Sequence, residues 1–166
     1  MSQHRKYILD AATSEKKLRR MALEIVEQNA GENEIIIAGI EENGLVVAEV
    51  IRKFILEFSD ISVTIISIRL DKRNPAEIIL SSQMDFNNKV IIITDDVANS
   101  GKTLLYALKP FLDFHPKKIQ TLVMVERSHN SFPVHPDYTG LTIATTLQEH
   151  IFVEVEGKAV TGAYLE

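Results

Sequence analysis

The chain has 166 residues, 45% of them hydrophobic, no cysteine, and a formal charge of −5 with an isoelectric point near 5.6. That length suits one well-packed domain over residues 1–166 and is short for two, and the missing thiols exclude a disulfide framework and a thiolate metal site. The acidic balance disfavours a broad nucleic-acid footprint, which would show as a basic surface.

No apolar run is long enough to span a bilayer, and Met1-Ser2-Gln3-His4-Arg5-Lys6 leads into a polar helix rather than a signal-peptide core, so a cytoplasmic protein is expected. Tyr7, Ile8 and Leu9 make a short apolar lead-in. Thr13 or Ser14 is placed to cap a helix whose buried stripe is Leu18, Met21, Ala22, Ile25 and Val26, with Gly31 ending it. Lys16, Lys17, Arg19 and Arg20 share the other face and read as solvated surface in preference to an RNA contact.

Glu34 to Ile40, E-I-I-I-A-G-I, is a buried-strand pattern that gives out at Gly39. Glu41-Glu42-Asn43-Gly44 then forms a loop before a helix carrying Leu45, Ala48, Ile51, Ile55 and Phe58. Ile61 to Leu70 is the next parallel strand. Strand, loop, helix and strand make a right-handed βαβ unit, and ligands in such sheets collect at the carboxyl ends of the strands. Asp71-Lys72-Arg73-Asn74-Pro75 breaks the pattern, and Glu77 to Ser81 with Asp85 to Asn88 forms a short excursion, a hairpin arm over the site. Arg69, Lys72 and Arg73 are the basic side chains there for a pyrophosphate or a partner subunit, with plain surface charge as the alternative.

The chain is organised around Lys89 to Thr103, K-V-I-I-I-T-D-D-V-A-N-S-G-K-T. Val90 to Ile93 is an unbroken β-branched run, suited to a strand buried on both faces of a parallel sheet. Asp95 and Asp96 stand where that strand would end. Ala98, Asn99, Ser100, Gly101, Lys102 and Thr103 follow as a small, donor-rich turn opening a helix, which lets backbone N–H groups approach a phosphate. Carboxylates accept hydrogen bonds from ribose hydroxyls, so an acid pair beside a phosphate turn points to a sugar phosphate. A nucleoside-triphosphate loop, G-x-x-x-x-G-K-[ST], needs glycine where this chain has Asp96.

After this stretch, Leu104, Leu105, Leu108, Phe111 and Leu112 form a helical stripe that Pro110 shortens or kinks. Ile119 to Val125 is another strand, and Glu126-Arg127-Ser128-His129 leaves the sheet at its carboxyl end, where the base half of a nucleotide would lie. His129 is a candidate contact there. Phe132 to Gly140 is turn-rich, Leu141 to Thr146 is a short extended piece, and Ile151 to Val155 alternates as the last strand. The five histidines lack ligand spacing such as H-E-x-x-H, so no protein-held metal is expected.

The Lys89–Thr103 string resembles the phosphoribosyl pyrophosphate (PRPP) signature of type I phosphoribosyltransferases. With Ile8-Leu9-Asp10, Ala38-Gly39-Ile40, Met124 to His129 and Phe132-Pro133-Val134, the chain from about Tyr7 to Gly157 is similar to the pyrimidine-operon attenuator/uracil phosphoribosyltransferase family. The resemblance implies an α/β fold with a mainly parallel central sheet flanked by helices and a small hood segment. By position, Asp95 and Asp96 would bind the ribose hydroxyls, Ala98 to Thr103 the 5′-phosphate, Gly39 and Glu41 to Gly44 the pyrophosphate, and Arg127 and His129 the base end. Mg²⁺ would arrive with PRPP, and a homodimer or higher homo-oligomer is implied. Purine-salvage relatives carry aspartate where this chain has Asn99, which favours uracil as the base.

Three positions depart from the family pattern: Glu41-Glu42-Asn43-Gly44 replaces a K-T-R-G-like loop, the arm between Leu70 and Lys89 is shortened, and Ser128 replaces glycine. Two glutamates at the leaving group predict weak turnover, so the alternative is a non-catalytic nucleotide- or PRPP-binding regulator. RNA attenuation is a third and weaker reading.

Overall fold

Runs of β-branched residues form the middle of a six-stranded sheet. A computed structural model describes residues 4–166; Met1 to Gln3, the start of the polar N-terminal stretch, lie outside them. In chain order the elements are β1 (Lys6–Leu9), α1 (Ala11–Gln28), β2 (Glu34–Ile40), α2 (Asn43–Phe58), β3 (Ser62–Leu70), β4 (Ile78–Leu80), β5 (Val90–Ala98), α3 (Lys102–Ala107), a 3₁₀ turn (Lys109–Phe111), β6 (Lys118–Arg127), β7 (Tyr138–Ile143), β8 (Ile151–Glu156) and β9 (Ala159–Leu165). The large sheet has the order β4-β3-β2-β5-β6-β7, parallel throughout except that β4 returns antiparallel along β3. A second, antiparallel sheet, β1-β9-β8, is the hood.

Period-two alternation explains how β2 and β5 are buried on both faces. Ile35 and Ile37 of β2 and Val90 and Ile92 of β5 pack with α1, α2 and the inner side of the hood. Ile36, Ala38 and Ile40, with Ile91 and Ile93, face the opposite way onto Leu104, Phe111 and Phe86. Phe86 sits edge-on to Phe111 (centroids 4.9 Å apart) and to Phe114 (5.2 Å), closing that second face.

Several boundaries differ from the sequence reading for local reasons. The N-terminal stretch enters β1, not a helix. Asp10, in place of Thr13 or Ser14, caps α1: its Oδ1 accepts the Thr13 N–H at 2.7 Å, while Ser14 is buried inside the helix. Helix α1 ends at Gln28 with Asn29 as its cap, and Gly31 (φ +89°) turns the chain two residues later. β2 runs one residue past Gly39. Helix α3 stops at Ala107 and Pro110 sits in the 3₁₀ turn, so Leu112 is 67% exposed and lies outside the core stripe. β7 begins at Tyr138, three residues before the expected extended piece, and β8 is not the last strand. β9 follows it through a turn at Gly157 (φ +59°); its A-V-T-G-A-Y-L sequence carries little β-branched signal, and Gly162 is there because a Cβ would lie 2.8 Å from the Leu9 carbonyl oxygen.

The basic residues of α1 serve packing. Lys17 Nζ donates to the Gly140 carbonyl (3.0 Å), Arg20 Nη2 to the Thr139 carbonyl (2.7 Å), and Arg19 pairs with Glu57 of α2 (3.3 Å). Among the described residues no helix is long and apolar enough to cross a membrane.

Phe86→Ala should cost about 3–5 kcal/mol, as removal of a fully buried aromatic ring does. Urea unfolding of the variant checks this; a loss under about 1 kcal/mol would show that the second face tolerates a hole.

Candidate functional site

The carboxyl ends of β3, β2, β5 and β6 lie side by side. The chain passes from β2 outward to β3 and then back to β5 before continuing outward to β6, so the order reverses between β2 and β5, and a crevice opens at that switch point. Gly39 pairs in register with Thr94, which sets the loop after β2 beside the acids of β5.

Asp95 and Asp96 do not end the strand. β5 continues through them to Ala98, with Asp95 opposite Val123 and Ala98 opposite Glu126. Each carboxylate folds back onto the chain: Asp95 Oδ1 accepts the Asp96 N–H (2.9 Å), and Asp96 Oδ1 accepts that of Val97 (2.8 Å). Asp95 is 1% exposed and therefore a buried group, contrary to the exposed strand-end carboxylate expected from sequence. Lys72, from the loop after β3, places Nζ 3.2 and 3.3 Å from the two Asp95 oxygens and 3.7 Å from Asp96 Oδ1. Burial pushes the Asp95 carboxyl up to about 8, Asp96 adds to the rise, and Lys72 opposes it. For Lys72, burial would lower the ammonium, but Asp95 and Asp96 outweigh it and raise it.

The loop after β2 is clamped backbone to backbone. A Cβ on Gly44 would lie 2.6 Å from the Thr94 carbonyl oxygen and one on Gly39 2.6 Å from Leu45 Cα, while Thr94 Oγ1 donates to the Gly44 carbonyl at 2.7 Å. The Glu41–Glu42 peptide is cis. Asn43 Nδ2 donates both to Asp96 Oδ2 (3.0 Å) and to the Val153 carbonyl of β8 (3.1 Å), joining loop, acid pair and hood. Glu41 is held on the β3 side: Ser67 Oγ donates to it at 2.8 Å and Arg69 Nε at 3.1 Å, and these two bonds, Ser67 first, lower its carboxyl below the usual range. Glu42 is exposed and makes no ion pair among the described residues.

Ala98 to Thr103, with Leu104 and Lys72, line a cleft of about 60 Å³. At ~10–15 Å³ per water-sized group, that is room for about four to six such groups, the size of one phosphate. The N–H groups of Gly101, Thr103 and Leu104 have no backbone carbonyl partner among the described residues. Gly101 has φ +84°, and a Cβ there would meet Asn130 Oδ1 at 2.8 Å and the Val134 carbonyl at 3.0 Å. The loop after β6 thus straps the turn, and the Ser131 and Phe132 N–H groups both bond the Ser100 carbonyl at 3.0 Å.

The basic side chains proposed from sequence disperse. Lys72 reaches the acids, Arg69 neutralises Glu41, and Arg73 is exposed. Arg127 Nη2 donates to the Thr146 carbonyl at 2.5 Å, tying β6 to the 144–150 segment, and His129 is exposed without a hydrogen bond among the described residues. Asn43 and Phe132 to Val134 were placed near the site from sequence, but two of the links they make had no sequence signal. The double bond of Asn43 depends on a hood strand 110 residues away, and the strap from Asn130 to Val134 lies in turn-rich sequence without periodicity.

A mainly parallel sheet with this switch point, flanked by helices and capped by a small antiparallel hood, is the type I phosphoribosyltransferase fold. Residues 4–157 match the phosphoribosyl transferase domain family, and the chain belongs to it. It is 32% identical over 161 residues to the bifunctional protein PyrR of Enterococcus faecalis (strain ATCC 47077 / OG1RF), covering 92% of this chain and 90% of that one. The PyrR of Haemophilus ducreyi is 30% identical over 161 residues, covering 91% and 90%. Among solved structures, the hypoxanthine phosphoribosyltransferase of Trypanosoma cruzi superposes with a TM-score of 0.80 at 13% identity over 97% of both chains. A hypoxanthine-guanine phosphoribosyltransferase of Bacillus anthracis gives 0.77 at 19%, over 97% and 98%. At those identities the likeness is one of fold.

Asp95→Asn should change the pH dependence of stability. The folded Asp95 carboxyl, at about 8, lies above its ordinary value of 3.8, so its neutral form stabilises the fold fully at low pH and that contribution is lost as pH rises through 8. The variant escapes this loss, and its Tm should gain several degrees on the native chain between pH 5 and pH 9, at about 2–4 °C per kcal/mol. A gap independent of pH would refute the assignment. Gly101→Val should dislodge the strap and abolish phosphate binding at the turn, because a β-branched residue meets both a left-handed φ and the 130–134 backbone. Phosphate still bound there in a crystal of the variant would contradict this.

Proposed function

We propose that the chain binds PRPP across its acid pair and phosphate turn and transfers the phosphoribosyl group to a pyrimidine, with uracil as the base, giving UMP and pyrophosphate. The observation that carries this reading is the placement of Asp95 and Asp96 next to the 60 Å³ cleft of Ala98 to Thr103 at the switch point of the sheet, in a member of the phosphoribosyl transferase domain family. Asp95 and Asp96 accept the ribose 2′- and 3′-hydroxyls, the 98–103 turn fixes the 5′-phosphate, and the loop from Gly39 to Gly44 meets the pyrophosphate. In the reaction the C1′–oxygen bond to pyrophosphate breaks, a C1′–nitrogen bond to the base forms, and the proton of that base nitrogen leaves to the released pyrophosphate or to solvent. Positive charge gathers on the ribose and negative charge on the leaving group, so the protein acts by positioning and electrostatics without a covalent intermediate.

Among the described residues no cluster of three or more His, Cys, Asp or Glu side chains could hold a metal alone. The acid pair suits Mg²⁺ brought in by PRPP, a hard cation held mostly by phosphate oxygens and water that needs few protein ligands. When bound, Mg²⁺ neutralises charge on the pyrophosphate.

Glu42 supports a second reading, a nucleotide-binding regulator without turnover, because it is the uncompensated acid in the pyrophosphate loop. Three of the four α1 cations are engaged by Gly140, Thr139 and Glu57, with Lys16 exposed, which leaves RNA binding the weaker reading.

Pyrophosphate release from Mg²⁺–PRPP and uracil tests the proposal. A carboxylate at about 5 Å and an effective dielectric near 20 opposes each leaving-group charge by about 3 kcal/mol before screening, so Glu42→Lys should raise turnover by roughly tenfold or more. A fall on substitution would show that Glu42 serves catalysis. UMP binding with no release from either protein would establish the regulator.

A further inference from the structure

We propose that Lys72 is an exchange cation: it holds the acid pair until a nucleotide enters and then moves to the 5′-phosphate. The inference rests on the reading of this site as a ribose-phosphate site and adds a step to it. Each of the four oxygens of the acid pair has at least one hydrogen-bond partner in the structure. Asp95 Oδ1 takes the Asp96 N–H, Asp96 Oδ1 that of Val97, Asp96 Oδ2 the Asn43 amide, and Lys72 Nζ spans both oxygens of Asp95 and faces Asp96 Oδ1. Asp95 is 1% exposed and Lys72 Nζ lies against both its oxygens, so a ribose diol reaches that carboxylate only if its cover moves. The two backbone donors are fixed in β5, and Asn43 is also anchored to the Val153 carbonyl of the hood. Lys72 alone is free to go: it sits on a loop outside the strands, its side chain is 48% exposed, and its four-carbon stem is flexible.

Its destination is already within reach, because Lys72 also lines the cleft formed by Ala98 to Leu104. That cleft offers N–H groups to an anion, and Lys102 is the other lysine lining it. A single ammonium thus borders both halves of the site. Moving it opens the acids to the two hydroxyls at the moment a phosphate arrives to accept the charge, so diol and phosphate recognition are coupled through one side chain.

The test is titration of the native chain, Lys72→Met and Lys72→Arg with UMP and with uridine, which keeps the diol and lacks the phosphate. Lys72→Met should bind UMP roughly ten- to a hundred-fold more weakly, the loss of one charge-assisted bond, and bind uridine as well as or better than the native chain. Lys72→Arg should stay near native for UMP. Equal losses for UMP and uridine, or no loss for UMP, would overturn the exchange, since a merely structural lysine would not separate the two ligands. A crystal of the native UMP complex decides independently: Nζ at the phosphate supports the exchange, and Nζ still on Asp95 with UMP bound at the turn removes it while leaving the ribose-phosphate reading intact. Failure of the native chain to bind UMP would remove both.

Discussion

Two adjacent carboxylates inside a central strand, with one ammonium between them, set the terms for the rest of this site. Asp95 is almost wholly buried and Asp96 nearly so. A buried charge without partners is costly enough that the group neutralises or acquires donors. Here it does both: burial raises the Asp95 carboxyl, and backbone N–H groups, Asn43 and Lys72 converge on the pair. Apart from the acids β5 consists of Val, Ile, Thr and Ala, and no packing requirement calls for acids in it. Under the proposed function the fold sustains that cost for recognition, a ribose diol being a ligand that two side-by-side carboxylates fit.

Close backbone approach is the second constraint, and it places the parts around that pair. Gly44 and Gly39 let the start of α2 lie directly on β5 and β2, so the loop after β2 cannot drift away from the acids. Gly101 lets the strap after β6 press closely on the 98–103 turn. Asn43 adds the hood, through Val153, to the same set of contacts. The three segments that would meet base, ribose phosphate and pyrophosphate are consequently linked by hydrogen bonds and glycine contacts rather than by a large apolar interface.

Much of this was legible in the sequence because it is local. The run Val90 to Ile93 announced a strand covered on both faces, and E-I-I-I-A-G-I announced its neighbour, since unbroken β-branched runs have few other uses. The D-D-V-A-N-S-G-K-T order showed the acids and the turn together. The extent of β5 was hidden, because strand continuation through Asp95 and Asp96 depends on pairing with β6, which no local pattern reports. β9 was hidden for the same reason: alanine and glycine carry weak strand preference, and pairing with β1 and β8 decides the matter. The net charge that the loop after β2 presents was only half legible. Reading Glu41 and Glu42 as equivalent overlooked that one of them would meet Ser67 and Arg69 on β3, so the loop carries one uncompensated acid and not two.

The account stands on the assignment of ribose hydroxyls to Asp95 and Asp96 and of a 5′-phosphate to the turn from Ala98 to Thr103. Diffraction from crystals of the native chain soaked in ribose 5-phosphate tests it most directly. The account predicts the phosphate in the cleft beside Gly101, with both ribose hydroxyls on the two carboxylates. A sugar phosphate bound elsewhere, or bound at the turn with its hydroxyls away from the acid pair, would contradict it.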